Sequence, residues 1–79
     1  MNCYATITVI GRDKTGVVAK VTNLLFETKA NIEALEEQVT RGQFSMTIQA
    51  SWRVTVFNEK SLGQGLRALG RDLGMEIKW

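Results

Sequence analysis

Proline and histidine are missing altogether from this chain of 79 residues, and cysteine occurs once, as Cys3. A single thiol cannot close an intrachain disulfide, and without histidine it has no companions for a zinc site. The missing histidine also leaves general acid–base work to carboxylates or lysine. The one adjacent pair in a loop, Asp13 and Lys14, gathers no second catalytic group around it, so no enzyme is expected. A lone thiol suits a reducing, cytoplasmic compartment. No stretch approaches the ~20 apolar residues of a membrane span. The N-terminus has neither a basic segment nor the apolar run of a signal peptide. Chains this short bury only roughly 60% of their unfolded surface and usually need a disulfide, a metal or a partner subunit. With the first two excluded, self-association is the expected support.

Charge of one sign is not concentrated either. The net charge of +2 comes from ten basic and eight acidic residues, and the basic ones are dispersed, several beside acids: Arg12 with Asp13, Lys60 with Glu59, Arg71 with Asp72. That is the pattern of a solvated mixed surface, with no nucleic acid or membrane as partner.

What the chain does have is a hydrophobic period that switches between 2 and 3.6. Cys3, Ala5, Ile7 and Val9 alternate with Thr6 and Thr8, which predicts a strand over 3–10 with one buried face. Val17, Val18, Val21, Leu24, Leu25 and Thr28 recur at steps of three and four, which predicts a helix over 16–29, with Asp13 or Thr15 as its cap. Residues 31–41 favour helix by local propensity, yet Leu35, Glu37 and Val39 alternate. A strand whose phase slips at a bulge between Ile32 and Leu35 fits, if it forms a hairpin with the strand after it. Arg41-Gly42-Gln43 supplies the turn.

Phe44, Met46, Ile48, Ala50, Trp52, Val54 and Val56 then occupy successive even positions, a run long enough to predict a break near Trp52-Arg53. Leu62, Leu66, Leu69 and Leu73 mark a second helix, with Asn58 as N-cap, Phe57 stapling onto Leu62, and Gly74 as terminator. Gly63, Gly65 and Gly70 weaken its interior. Met75, Ile77 and Trp79 form a last short strand.

The order strand, helix, strand, strand, helix, strand, with right-handed crossovers, predicts one α+β domain over 1–79. It is a ferredoxin-like βαββαβ sandwich with a four-stranded antiparallel sheet and two helices on one face. The opposite face carries Thr6, Thr8, Ser45, Thr47 and Gln49.

This fold hosts many functions, so the site decides. An RNA-recognition module needs outward-facing aromatic rings for base stacking; here only Tyr4 is aromatic, and it stands at the strand's end. A carrier of soft metal ions needs two thiols in its first loop, and Cys3 is single and faces the core. The remaining candidate is the first strand–helix turn, Gly11-Arg12-Asp13-Lys14-Thr15-Gly16-Val17. Two glycines bracket a polar loop that ends at a helix N-terminus, where unpaired N–H groups and the helix dipole favour a carboxylate.

The run Ile7-Thr8-Val9-Ile10-Gly11-Arg12-Asp13-Lys14-Thr15-Gly16-Val17-Val18-Ala19 resembles the first strand, Asp-x-x-Gly turn and first helix of the ACT domain family. Ala30-Asn31-Ile32 resembles the Asn-Ile pair that opens that family's second strand. Gly42-Gln43-Phe44-Ser45-Met46 is similar to stand-alone ACT proteins of the glycine-cleavage-regulator kind and to the N-terminal part of formyltetrahydrofolate deformylases. The resemblance covers nearly the whole chain. It implies an amino-acid-binding regulatory domain whose ligand lies at a homodimer interface, or that of a higher homo-oligomer.

The resemblance further implies that Gly11, Asp13, Thr15, Gly16 and Val17 form the turn and that Asn31 and Ile32 of another subunit oppose it. Main-chain amides would take the ligand carboxylate, and Asn31 or Asp13 its ammonium. The bland alternatives are a helix cap for Asp13, a turn residue for Asn31, and backbone and core roles for Gly16 and Val17. No cofactor is implied. ACT modules generally act on a fused enzyme; none is visible here, so a signal would pass through assembly or a regulated partner protein. The alternative is a dimerisation or protein–protein interaction module with no ligand.

Overall fold

The computed structural model describes all 79 residues. Six elements succeed one another: β1 (Asn2–Arg12), α1 (Val17–Glu27), β2 (Asn31–Thr40), β3 (Gln43–Arg53), α2 (Glu59–Leu73) and β4 (Glu76–Lys78). The strands form one antiparallel sheet in the order β2-β3-β1-β4, the expected ferredoxin-like sandwich. Because β1 and β2 flank β3, α1 carries the chain back across β3. Because β3 and β4 flank β1, α2 does the same across β1.

The alternating rows identified in the sequence become the core. Ile7 and Val9 of β1 meet Ile48 and Met46 of β3 in register, and all four are buried together with Phe44, Ala50 and Trp52. From the helices, Val17, Val21 and Leu25 of α1 and Leu62, Leu66 and Leu73 of α2 close over that row. Cys3 and Ala5 lie toward the N-terminal end of β1 on the same face and are only half-buried. The long even-numbered run does break where expected. β3 stops at Arg53, and Val54 and Val56 emerge at 50% and 40% exposure in the turn beyond it.

The β2–β3 hairpin closes on two residues, Arg41 and Gly42, with φ of 54° and 79°. Two successive positive φ values give the turn whose twist matches that of paired strands. The expected phase slip in β2 is present, a register shift between Ile32 and Ala34. It leaves Leu35 opposite Ile48 and Val39 opposite Phe44, on the helix-covered side.

α2 is bounded as its sequence suggests. The Asn58 side chain accepts from the Ser61 amide at 2.9 Å, and Gly74 ends the helix at φ 65°. Phe57 packs against Trp52, ring centroids 5.1 Å apart. Gly65, read as a weak point of the helix, has a packing reason: a Cβ there would stand 3.0 Å from Leu24 Cδ1 of α1. α1 departs from expectation at its start. Its cap is Gly16, in the left-handed region at φ 86°, and no side chain bonds its first turn. Neither Asp13 nor Thr15 caps the helix, because the residue at the cap position has no side chain and Thr15 lies one residue upstream of it.

Gly11 is the tightest point of the sheet. A Cβ on it would fall 2.3 Å from Met75 Sδ and 3.4 Å from Gly74 O, and Met75 is 7% exposed. Gly11→Ala is therefore expected to destabilise the fold by about 1–3 kcal/mol through overpacking. Most of that loss should vanish in a Met75→Ala background, a coupling readable from urea melts of the double-mutant cycle. Additive effects would show that Met75 moves aside freely.

Candidate functional site

Five of the seven candidate residues gather at one end of β1. Gly11 still belongs to the strand, opposite Phe44. Asp13 extends the ladder by one bond, its amide donating to Gly42 O at 2.8 Å. Thr15 and Gly16 form the turn, and Val17 opens α1 with its side chain 2% exposed in the core. The Lys14 ammonium comes within 3.5 Å of where a Gly74 Cβ would stand. That puts a cation beside the C-terminal end of α2, where helix carbonyls favour it.

Asp13's amide is thus committed. The amides of Val17, Val18 and Ala19 have no helix carbonyl upstream to reach, and no side chain bonds them. Nothing stands within 4 Å of a Cβ built on Gly16, so the turn is open on its outer side.

Asn31 and Ile32 lie elsewhere. β2 begins opposite Ser51 and ends opposite Gln43, and Gln43 in turn faces Arg12. The turn therefore adjoins the end of β2 and Asn31 its beginning. Ten residues at ~3.3 Å each put the two halves of the candidate site roughly 30 Å apart in one chain. None of the larger cavities touches residues 11–17. The most voluminous, about 620 Å³, lies between the C-terminus of α1 and the N-terminus of α2, lined by Thr28, Lys29, Asn58, Ser61 and Gln64 among others.

Asn31 has a partner that the sequence did not reveal. Its Nδ2 donates to Glu33 Oε2 at 2.7 Å, and Ser51 Oγ donates to the same oxygen at 2.7 Å. Glu33 is the residue at the bulge. The register shift frees it from the ladder and lets it reach across to Ser51, eighteen positions along the chain. The expected phase slip was the only sequence signal pointing to it.

Known proteins share both the sequence pattern and this geometry. The sequence profile of the ACT domain family matches residues 4–79. The chain belongs to the ACT domain family. ACT domains are typically small-molecule-responsive regulatory modules.

Among its relatives, a UPF0237 protein of Clostridium acetobutylicum is 34% identical over 74 residues, covering 94% of this chain and 83% of the relative. One from Methanosarcina mazei is 33% identical over 72 residues, covering 91% and 78%. An ACT domain protein from Streptococcus pneumoniae superposes with a TM-score of 0.81 at 29% identity, over 95% of this chain and 84% of that one. A putative glycine cleavage system transcriptional repressor shares the fold with a TM-score of 0.87 at 18% identity, over 99% of this chain and 44% of that one.

The two hydrogen bonds to Glu33, from Ser51 first and Asn31 second, hold its carboxyl below the ordinary glutamate value against a smaller opposing effect of desolvation. A depressed folded-state pKa means a stabilising contribution present above the unfolded-state value and lost as pH falls through the folded-state value. NMR titration of the Glu33 side-chain carboxyl should show this depression, and Ser51→Ala should move the pKa back up. An unchanged pKa in Ser51→Ala would remove the hydroxyl as its cause.

Proposed function

We infer that this ACT domain is an amino-acid-responsive regulatory module. Two copies pair along β2 and hold a small amino acid where the 11–17 turn of one meets Asn31 of the other. What carries this reading is the distance between the two half-sites together with the open edge of β2. Every β2 residue except Leu35 is exposed, and the strand's outer edge has no neighbour in the sheet. A ten-residue edge of unpaired N–H and C=O groups is a template for another strand. On its helix-covered side it offers Leu35, Ile32 at 37% exposure and Val39 at 51%, while α1 adds Phe26 at 76%.

A second copy laid antiparallel on this edge, two-fold related near its centre, brings the partner's Asn31 opposite Thr40. Thr40 is two strand spacings from Arg12, so the half-sites close from roughly 30 Å to about 14 Å. The turn rises from the sheet toward the layer of α1, and a zwitterion with its two contacting groups fills the rest. The uncapped amides of Val17 and Val18 take the carboxylate, favoured by the helix dipole. A carbonyl of Asn31 or the Asp13 carboxylate accepts from the ammonium. Asp13 and Thr15 line the turn, Gly11 and Gly16 let backbone approach, and Ile32 lends apolar contact. The signal then passes to a regulated partner through the assembly itself.

Sedimentation of the purified chain should show a dimer, and Leu35→Asp should make it monomeric. Among the common amino acids at 100 times Kd, the cognate one should stabilise the dimer by ~2.7 kcal/mol, a rise in Tm of roughly 10–20 °C for a domain of this size. Asn31→Ala should abolish the rise, and so should Leu35→Asp. A dimer that no amino acid stabilises would leave a ligand-free dimerisation module. A strict monomer would overturn the paired site altogether.

A further inference from the structure

At the end of the sheet where β2 begins and β3 ends, a notch of about 420 Å³ opens, within the size range of small-molecule pockets. Ser51 and Trp52, 3% and 2% exposed, line it at the end of β3. The Trp52 indole is pinned by donating to Thr28 Oγ1 at 3.0 Å. Lys29, Asn31, Glu33 and Arg53 line the notch as well. Two cations and one carboxylate face one space, yet they do not neutralise one another. Lys78 and Glu76, at the far corner of the sheet, form the chain's only ion pair within 4 Å.

Two of these side chains are placed with unusual care. Glu33 is held by two hydrogen bonds to Oε2, and its Oε1 accepts none from the protein. Bulges re-aim side chains in this way beside binding sites. Lys29 occupies a left-handed backbone position at φ 68°, just past the C-terminus of α1. Glycine or asparagine ordinarily stands there, and a lysine is disfavoured.

We propose that this notch is a second small-molecule site, complete within one chain, that binds an acidic amino acid. The ligand's two carboxylates meet Lys29 and Arg53, and its ammonium meets the free oxygen of Glu33. Two carboxylates and one ammonium are the mirror of the notch's two cations and one carboxylate. A neutral amino acid leaves one cation unmatched, and a plain dicarboxylate leaves Glu33 facing an apolar chain or another anion. Charge-assisted hydrogen bonds accepted by a positioned carboxylate from the ligand's ammonium give this discrimination its strength.

Calorimetric titration of the full chain tests the site. L-glutamate or L-aspartate is expected to bind one per chain, at least about tenfold tighter than glutamine or glutarate. Glu33→Gln should weaken the amino acid and not glutarate, whereas Arg53→Gln should weaken both. Lys29→Gly is the variant a merely structural role cannot mimic. It should raise Tm by relieving the left-handed lysine and at the same time weaken the ligand.

Monomeric Leu35→Asp separates this site from the paired one, since glutamate affinity should survive there. Affinity lost with the dimer would assign the ligand to the interface and overturn the notch. So would no heat at millimolar glutamate, equal affinity for glutamate and glutamine, or a Lys29→Gly chain that binds as before.

Discussion

Strand β3 is flanked by β1 along its whole length and by β2 from Gln43 to Ser51, and its inner row of Phe44, Met46, Ile48, Ala50 and Trp52 is sealed from water. The rest of the molecule answers to that row. Both helices must lie on the same side of the sheet to cover it, so they crowd each other and Gly65 gives way to Leu24. The polypeptide must cross β3 once through α1, which fixes where the 11–17 turn can be. The opposite face is left to water and carries Thr6 beside Gln49, Thr8 beside Thr47 and Ile10 beside Ser45. Such a surface offers no row of rings for nucleic-acid bases to stack on.

The elements that bury apolar side chains were legible in the sequence, because burial writes its period directly into it. The strand phases, both helical stripes, the Gly42 turn and the end of β3 near Arg53 all obey that rule. The slip in β2 could be read as well, since a bulge displaces the pattern by one residue. The cap of α1 could not. Asp13 and Thr15 have suitable side chains, but the backbone places Gly16 at the cap position, and a glycine's left-handed preference outweighs the side chains upstream. Glu33 was equally hidden. An exposed polar residue leaves no periodic trace, and its link to Ser51 exists only once the hairpin has brought two distant segments together.

The candidate residues fare differently for a related reason. Gly11, Asp13, Thr15, Gly16 and Val17 are nearly contiguous, so the turn keeps them together whatever the rest of the chain does. Asn31 and Ile32 are close to them in sequence but come after a helix that carries the chain to the far end of the neighbouring layer. An element eleven residues long converts sequence proximity into separation. The pairing proposed along β2 would reverse it, and for that reason the site reading and the association reading stand or fall on the same edge.

That edge demands a fixed register. With a side-chain period of 2, a slip of one residue would turn Leu35 and Val39 to the polar face and bring Glu36 and Gln38 onto the helix-covered side. β2 is held against such slips at both ends. The two-residue turn at Arg41 and Gly42 fixes one end, and at the other the bulge is clamped by Glu33 bonding to Ser51 and Asn31. The bulge lets a single strand serve two phases, with Ile32 opposite Ala50 and Leu35 opposite Ile48, so both apolar side chains reach the same face. Without the extra residue one of them would point into water, and the apolar strip along this edge would be correspondingly shorter.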